Sequence, residues 1–169
     1  MLVGMKLNVE NRYSGNVEQT FASHVTESVR EEACRQSGAT SYQVTVKQTA
    51  GGGATVEIER VMNPQLPEHL AKLVGGRLTI HQVEEWAPPA ADGSRTAAVK
   101  LTIKGQPASM HGRAVLAPDG DGSLETVTGD VKVAVPIIGR KFEPDIVKVI
   151  ESALRIEQRV GDEWIKANS

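Results

Sequence analysis

The stretch PIIGRKFEPDIVKVIESALRIEQRVGDEWIK, residues 136–166, decides how the rest of the chain must fold. Within it Phe142, Ile146, Val149/Ile150, Ala153, Ile156, Val160 and Trp164 recur every three or four residues, one apolar stripe over about six helical turns. Lys148, Glu151, Arg155, Gln158, Arg159 and Glu163 take the other side, with Glu151–Arg155 and Arg159–Glu163 as opposite-charge pairs at i,i+4. The pattern predicts Glu143 as N-cap, with Pro144 at the first helical position, where its missing N–H costs nothing, and Asp145 favourable to the helix dipole. Phe142 would then meet Val147 in a hydrophobic staple. Gly161 reads as a weak point, costing about 1 kcal/mol relative to Ala.

A helix this long and this one-sided needs a broad apolar surface, and the preceding chain supplies strands. Met5, Leu7 and Val9 alternate with polar residues in a half-buried first strand. Asn16 can cap a helical stretch from Val17 to Gln36, whose β-branched residues predict two short helices, ended by Gly38. The period then becomes two. Tyr42, Val44 and Val46, then Val56, Ile58, Arg60 and Met62, form strand faces joined at Gly51-Gly52-Gly53. A short helix from about Leu66 to Val74 is opened by Pro64 and Pro67 and closed by Gly75-Gly76. Leu78 to Trp86, Ala97 to Ile103, Met110 to Leu116 and Val127 to Val135 follow as further strands. Six consecutive strands in an antiparallel meander, with one long crossover from the first, make an α+β domain: a curved sheet of about seven strands wrapped around the C-terminal helix. The expected organisation is a single domain over residues 1–169.

This order, with the polar turn leading into Val17-Glu18-Gln19-Thr20-Phe21, the strand ending Glu84-Glu85-Trp86-Ala87-Pro88, and Val135–Lys141 running into the long helix, resembles the START-like or helix-grip superfamily, to which the birch-pollen-allergen fold also belongs. Within that superfamily the chain looks most like a family of uncharacterised actinobacterial proteins. The resemblance covers nearly the whole chain and implies a cavity between sheet and long helix, with no settled reaction.

Composition narrows the function. Nineteen basic against twenty-one acidic residues, without a basic block, argue against nucleic acid as main partner. Cys34 is the single cysteine, which excludes an internal disulfide and fits a reducing cytoplasm. Met1 to Lys6 lack a signal-peptide pattern, and no window is apolar enough for a membrane span. Aromatics are only 4% of the chain, so a pocket would have mainly aliphatic walls.

Catalytic and metal motifs do not stand out. Asp119-Gly120-Asp121-Gly122-Ser123 opens like an EF-hand loop, but Leu124 stands at position six and Asp130 at position twelve, and Asp-Gly is ordinary hairpin chemistry. Gly51-Gly52-Gly53 lacks the Lys and helix of a phosphate loop. His24, His69, His81 and His111 are far apart; strand parity sends His81 and His111 to solvent, and His69 sits on the short helix that could cover a pocket mouth. Cys34 reads as a structural thiol. No catalytic residue, metal site or cofactor is assigned.

Parity does select a candidate site. Tyr42, Arg60, Gln82, Glu84 and Trp86 share faces with aliphatic residues that look toward the long helix. Polar groups buried without partners cost a few kcal/mol each, so they either pair, as Arg60 with Glu84, or face a cavity. Trp86, beside Pro88-Pro89, could plug the barrel mouth. The expected cavity set is Tyr42, Arg60, Gln82 and Glu84 with the walls Val44, Ile58, Ile80, Val99, Leu101, Val131 and Val133, closed by Phe142, Ile146 and Ile150. The leading reading is non-enzymatic binding of a small hydrophobic ligand, lipid or polyketide-like. The alternatives are a cyclase- or hydratase-like enzyme using Arg60, Glu84 or Tyr42, and a protein-interaction domain.

Overall fold

The structure, a computed structural model, describes residues 4–63 and 66–169, with side chains except those of Leu70, Leu73 and Val74. Pro64 and Met1–Val3, which entered the readings of the short helix and the N-terminus, lie outside the described residues. In chain order the elements are β1 (Met5–Tyr13), α1 (Val17–His24), α2 (Glu27–Gln36), β2 (Ala39–Gln48), β3 (Ala54–Met62), α3 (Glu68–Val74), β4 (Leu78–Trp86), β5 (Arg95–Ile103), β6 (Ala108–Asp119), β7 (Gly122–Val133) and α4 (Gly139–Ala167). The seven strands form one antiparallel sheet in the order β1-β7-β6-β5-β4-β3-β2. Short turns join β2 to β3 and β4 through β7, α3 interrupts the connection from β3 to β4, and α1 and α2 carry the crossover from β1 to the far edge.

Local chemistry explains the joints. Asn16 Oδ1 accepts from the Gln19 backbone N–H and Gln19 Oε1 accepts from that of Asn16, both at 2.9 Å, a complete capping box for α1. The helical stretch breaks at Val25-Thr26 into the two short helices its β-branched residues predicted. Asp119–Gly122 closes the β6–β7 hairpin, as its Asp-Gly chemistry requires. Alternating burial along β1, β3, β4 and β5 sends Leu7, Val9, Val56, Ile58, Leu78, Ile80, Val99 and Leu101 inward. They meet Phe142, Ile146, Val147, Ile150 and Leu154 of α4 in one core.

The long helix departs from its expected form at two places. It begins at Gly139, not after Glu143, so Pro144 lies inside it and Phe142 belongs to its first turn. A tight turn, with the Ile138 N–H on Pro136 O at 2.8 Å and the Gly139 N–H on Val135 O at 2.9 Å, starts the helix early. The Phe142–Val147 staple therefore does not form as such. Gly161, expected to weaken the helix, sits mid-helix where a Cβ would come within 3.3 Å of Ser23 Oγ and 3.4 Å of Tyr13 Cε1. The missing side chain is what lets α4 approach α1 and β1.

Candidate ligand-binding cavity

The inward face of β3 and β4 carries Arg60, Gln82, Glu84 and Trp86, all buried, as strand parity requires. Of the two alternatives for these residues, direct pairing of Arg60 with Glu84 does not form: in the β3–β4 register Arg60 lies opposite Ile80 and Glu84 opposite Val56. Gln82 stands between them. Its Oε1 accepts from Arg60 at 3.0 Å and its Nε2 donates to Glu84 Oε1 at 2.6 Å. The partners come from helices. Arg30 of α2 donates to Glu84 Oε1 at 2.5 Å, and Glu157 of α4 lies 3.5 Å from Arg30 and 3.4 Å from Arg60. The Trp86 indole N–H donates to Glu84 Oε2 at 2.9 Å. Two guanidiniums thus face two carboxylates in the space between sheet and helices.

A second buried pair extends the network. His24, at the end of α1, lies 2.7 Å from Glu125 of β7, with its ring 5.3 Å from Trp86 and edge-on to Tyr13 at 5.6 Å. Burial opposes the imidazolium, but the Glu125 carboxylate and its hydrogen bond prevail and raise the His24 pKa above its ordinary value. Burial likewise opposes the Glu84 carboxylate; Arg30, His24 and the Trp86 and Gln82 hydrogen bonds prevail and lower its pKa. Desolvation raises the Cys34 thiol, against the nearby Arg60 charge, so this cysteine is a buried, unreactive group.

Beside the network lies a cavity of about 610 Å³ between α4, strands β3 to β5, the segment at Ser37-Gly38 and the residues Asn63, Leu66 and Pro67. Met62, Leu66, Ile80, Leu101, Val149, Ile150 and Ile156 give it aliphatic walls, and Arg60 stands in its lining although only 2% exposed. Among the described residues the Arg60 Nε–H has no nitrogen or oxygen partner within hydrogen-bond distance. Asp145 and Lys148 lie where the lining approaches solvent. Asp145 Oδ2 accepts from His69 Nε2 of α3 at 2.8 Å, and the His69 ring stacks on Phe142 at 5.6 Å, so α3 is tied to the start of α4.

The expected set is distributed around this volume. Arg60, Ile80, Leu101 and Ile150 line it; Ile80, Leu101, Ile146 and Ile150 also line an adjoining void of about 30 Å³. Gln82, Glu84 and Val99 line a void of about 20 Å³, the size of a single water, next to His24 and Glu125. Val44, Ile58, Val131, Val133 and Phe142 are buried core, whereas Tyr42 on the edge strand β2 is 36% exposed. Trp86 is buried between Phe21 and His24 rather than standing at a rim. Arg30, His24, Glu125 and Glu157 carried no periodic signal as a group, because they reach the network from four different elements. Among the described residues no group of three or more His, Cys, Asp or Glu side chains is placed to hold a metal ion, and no helix is long and apolar enough to cross a membrane.

Comparison with solved structures shows the fold. A Thermus thermophilus protein superimposes with a TM-score of 0.63 at 14% identity, over 98% of this chain and 99% of that one. A START superfamily protein from Mycobacterium smegmatis gives 0.56 at 13%, over 98% and 100%. A STAR-related lipid transfer protein from Xanthomonas axonopodis gives 0.58 at 13%, over 91% and 84%. In sequence the chain is similar to an uncharacterised protein of Mycobacterium tuberculosis, 31% identical over 135 residues, 77% of each chain. The family described as "Protein of unknown function (DUF2505)" matches residues 8–165. The chain therefore belongs to the DUF2505 family and has the START-like, helix-grip fold.

Proposed function

We propose that the protein is a non-enzymatic, single-domain binding module that holds a small hydrophobic ligand, lipid or polyketide-like, between the sheet and α4. The observation that carries this reading is the cavity of about 610 Å³ with aliphatic walls and one buried guanidinium in its lining. Sites for small ligands have this character: mostly apolar, with sparse polar groups that fix orientation. The Arg60 guanidinium in the lining supplies such a group for an acceptor oxygen on the ligand. The Xanthomonas protein of the same fold is named as a lipid transfer protein, which agrees in kind.

A cyclase or hydratase would need an acid or base with a tuned pKa within reach of substrate. A guanidinium donates hydrogen bonds and accepts none, so Arg60 supplies no general base. Glu84 is saturated by Arg30, Gln82 and Trp86, which hold it as a carboxylate, and Tyr42 stands on the edge strand. These features favour binding over catalysis. Native mass spectrometry and organic extraction of the full chain, purified without added ligand, test the proposal. A co-purifying hydrophobic species bound one to one, released on unfolding, is the expected result. Apo protein that also fails to take up long-chain fatty acids, alcohols and sterols would overturn it.

A further inference from the structure

The tip that leads into α4 is built in a way the fold alone does not require. Ile137 is fully exposed and Ile138 is 47% exposed; among the described residues only Met5 and Tyr42 of the other large apolar side chains are exposed, and both less than Ile138. Ile137 also has a φ of 72°, a left-handed conformation that a β-branched residue adopts only under strain. Glycine would sit there at no cost, yet the position holds an isoleucine turned to solvent.

Around the two isoleucines stand Lys132, Arg140 and Lys141, all exposed. Among the described residues no carboxylate lies within ion-pairing distance of any of the three. Lys132, Ile137 and Arg140 share the lining of a shallow pocket with the buried Glu143, and an exposed apolar pair beside unpaired cations is complementary to an anionic lipid surface, where headgroups meet the charges and the acyl boundary takes the isoleucines. A protein partner would need a broader, shaped face of about 800 Å². Two side chains on a protrusion do not supply that, and a bilayer demands no shape complementarity.

Position relates the tip to the cavity. Asp145, in the cavity lining, follows Ile138 by about two turns, roughly 11 Å along α4. The same residue ties down α3 through His69. We propose that the Pro136–Lys141 tip docks the protein on anionic lipid bilayers, with Ile137 and Ile138 inserted and Lys132, Arg140 and Lys141 on the headgroups, bringing the cavity's α3 side to the membrane. The docking stands whether or not the cavity takes a lipid.

Co-sedimentation of the full chain with vesicles tests it. The chain is expected to pellet with vesicles of phosphatidylcholine and phosphatidylglycerol in equal parts at low salt, and to stay in the supernatant with phosphatidylcholine vesicles or at high salt. Ile137→Ser with Ile138→Ser should lower the bound fraction about tenfold or more. Arg140→Gln and Lys141→Gln should each lower it about fivefold, which corresponds to ~1 kcal/mol per cation. Ile137→Gly separates docking from folding: relief of the left-handed strain should raise the melting temperature while vesicle binding falls. The proposal is overturned if the wild type ignores the anionic vesicles, or if the double serine variant, folded by circular dichroism, binds them as the wild type does. Concentration-dependent self-association lost in that variant, without vesicle binding, would overturn it in favour of a second copy of the chain.

Discussion

His24 and Glu125 meet at 2.7 Å with side-chain exposures of 6% and 8%, joining the end of α1 to β7 inside the fold. Because the His24 pKa is raised above its ordinary 6.5, folding favours its proton. The resulting stability is fully present below about pH 6.5 and is lost as pH rises through the higher folded value. Glu84 works in the opposite sense. Its folded pKa lies below 4.5, so its contribution is present above about pH 4.5 and is lost on further acidification. The melting temperature should therefore peak between about pH 4.5 and 6.5 and decline on the alkaline side. In His24→Gln the alkaline decline should disappear. A wild-type slope in that variant, measured by thermal melts across pH, would remove the pair from the explanation.

Arg30 is central to the buried network, with Glu84 at 2.5 Å and Glu157 at 3.5 Å. Removing one charge leaves its partners uncompensated in a low-dielectric interior, so Arg30→Met should cost about 3–5 kcal/mol. Glu84→Gln added to it should cost less than the two single changes together, since the second removes a charge the first left stranded. Urea unfolding of the double-mutant cycle measures this. Additive losses would mean that the two groups act independently.

Gly112 of β6 faces Gly129 of β7, and a Cβ on Gly112 would stand 2.2 Å from Thr128 O and 2.9 Å from Gly129 Cα. These are backbone atoms that cannot turn aside. Gly112→Ala should destabilise by about 1–3 kcal/mol through overpacking, visible as a lower urea midpoint at unchanged slope. An unchanged midpoint would show that the two strands separate there without penalty.

The parts of the fold that repeat were legible in the sequence, and the parts that converge were not. Alternation found the strands and placed Arg60, Gln82 and Glu84 inward, because side-chain period in a strand is a local property. The partners of those residues lie far along the chain: Arg30 is 54 residues from Glu84 and Glu157 is 97 from Arg60. Nothing in the local pattern of α2 marks Arg30 as buried rather than solvated. The start of α4 misled for a local reason. Glu143-Pro144-Asp145 has the chemistry of a helix start, but the Pro136–Ile138 turn had already set the direction. Gly161 carried a true propensity penalty whose compensation, the close approach to Ser23 and Tyr13, exists only in the packed structure.

The division of the α4 stripe leads to a test of the cavity itself. Ile146 and Leu154 are packed in the core and Ile150 is buried at the cavity's edge, whereas Val149, Ala153 and Ile156 are half-buried and line the large cavity. A helix whose apolar side were wholly occupied by packing would bury both rows. Ala153→Trp should therefore fill open volume rather than displace core atoms, leaving the ligand-free unfolding free energy within about 1 kcal/mol of wild type. It should sharply reduce uptake of a fluorescent long-chain fatty acid and of any species that co-purifies. Ala153→Ser, similar in size, should leave uptake unchanged. Equal uptake by the Trp and Ser variants would place the ligand elsewhere, whereas strong destabilisation by Trp would mean that this face of α4 is already packed.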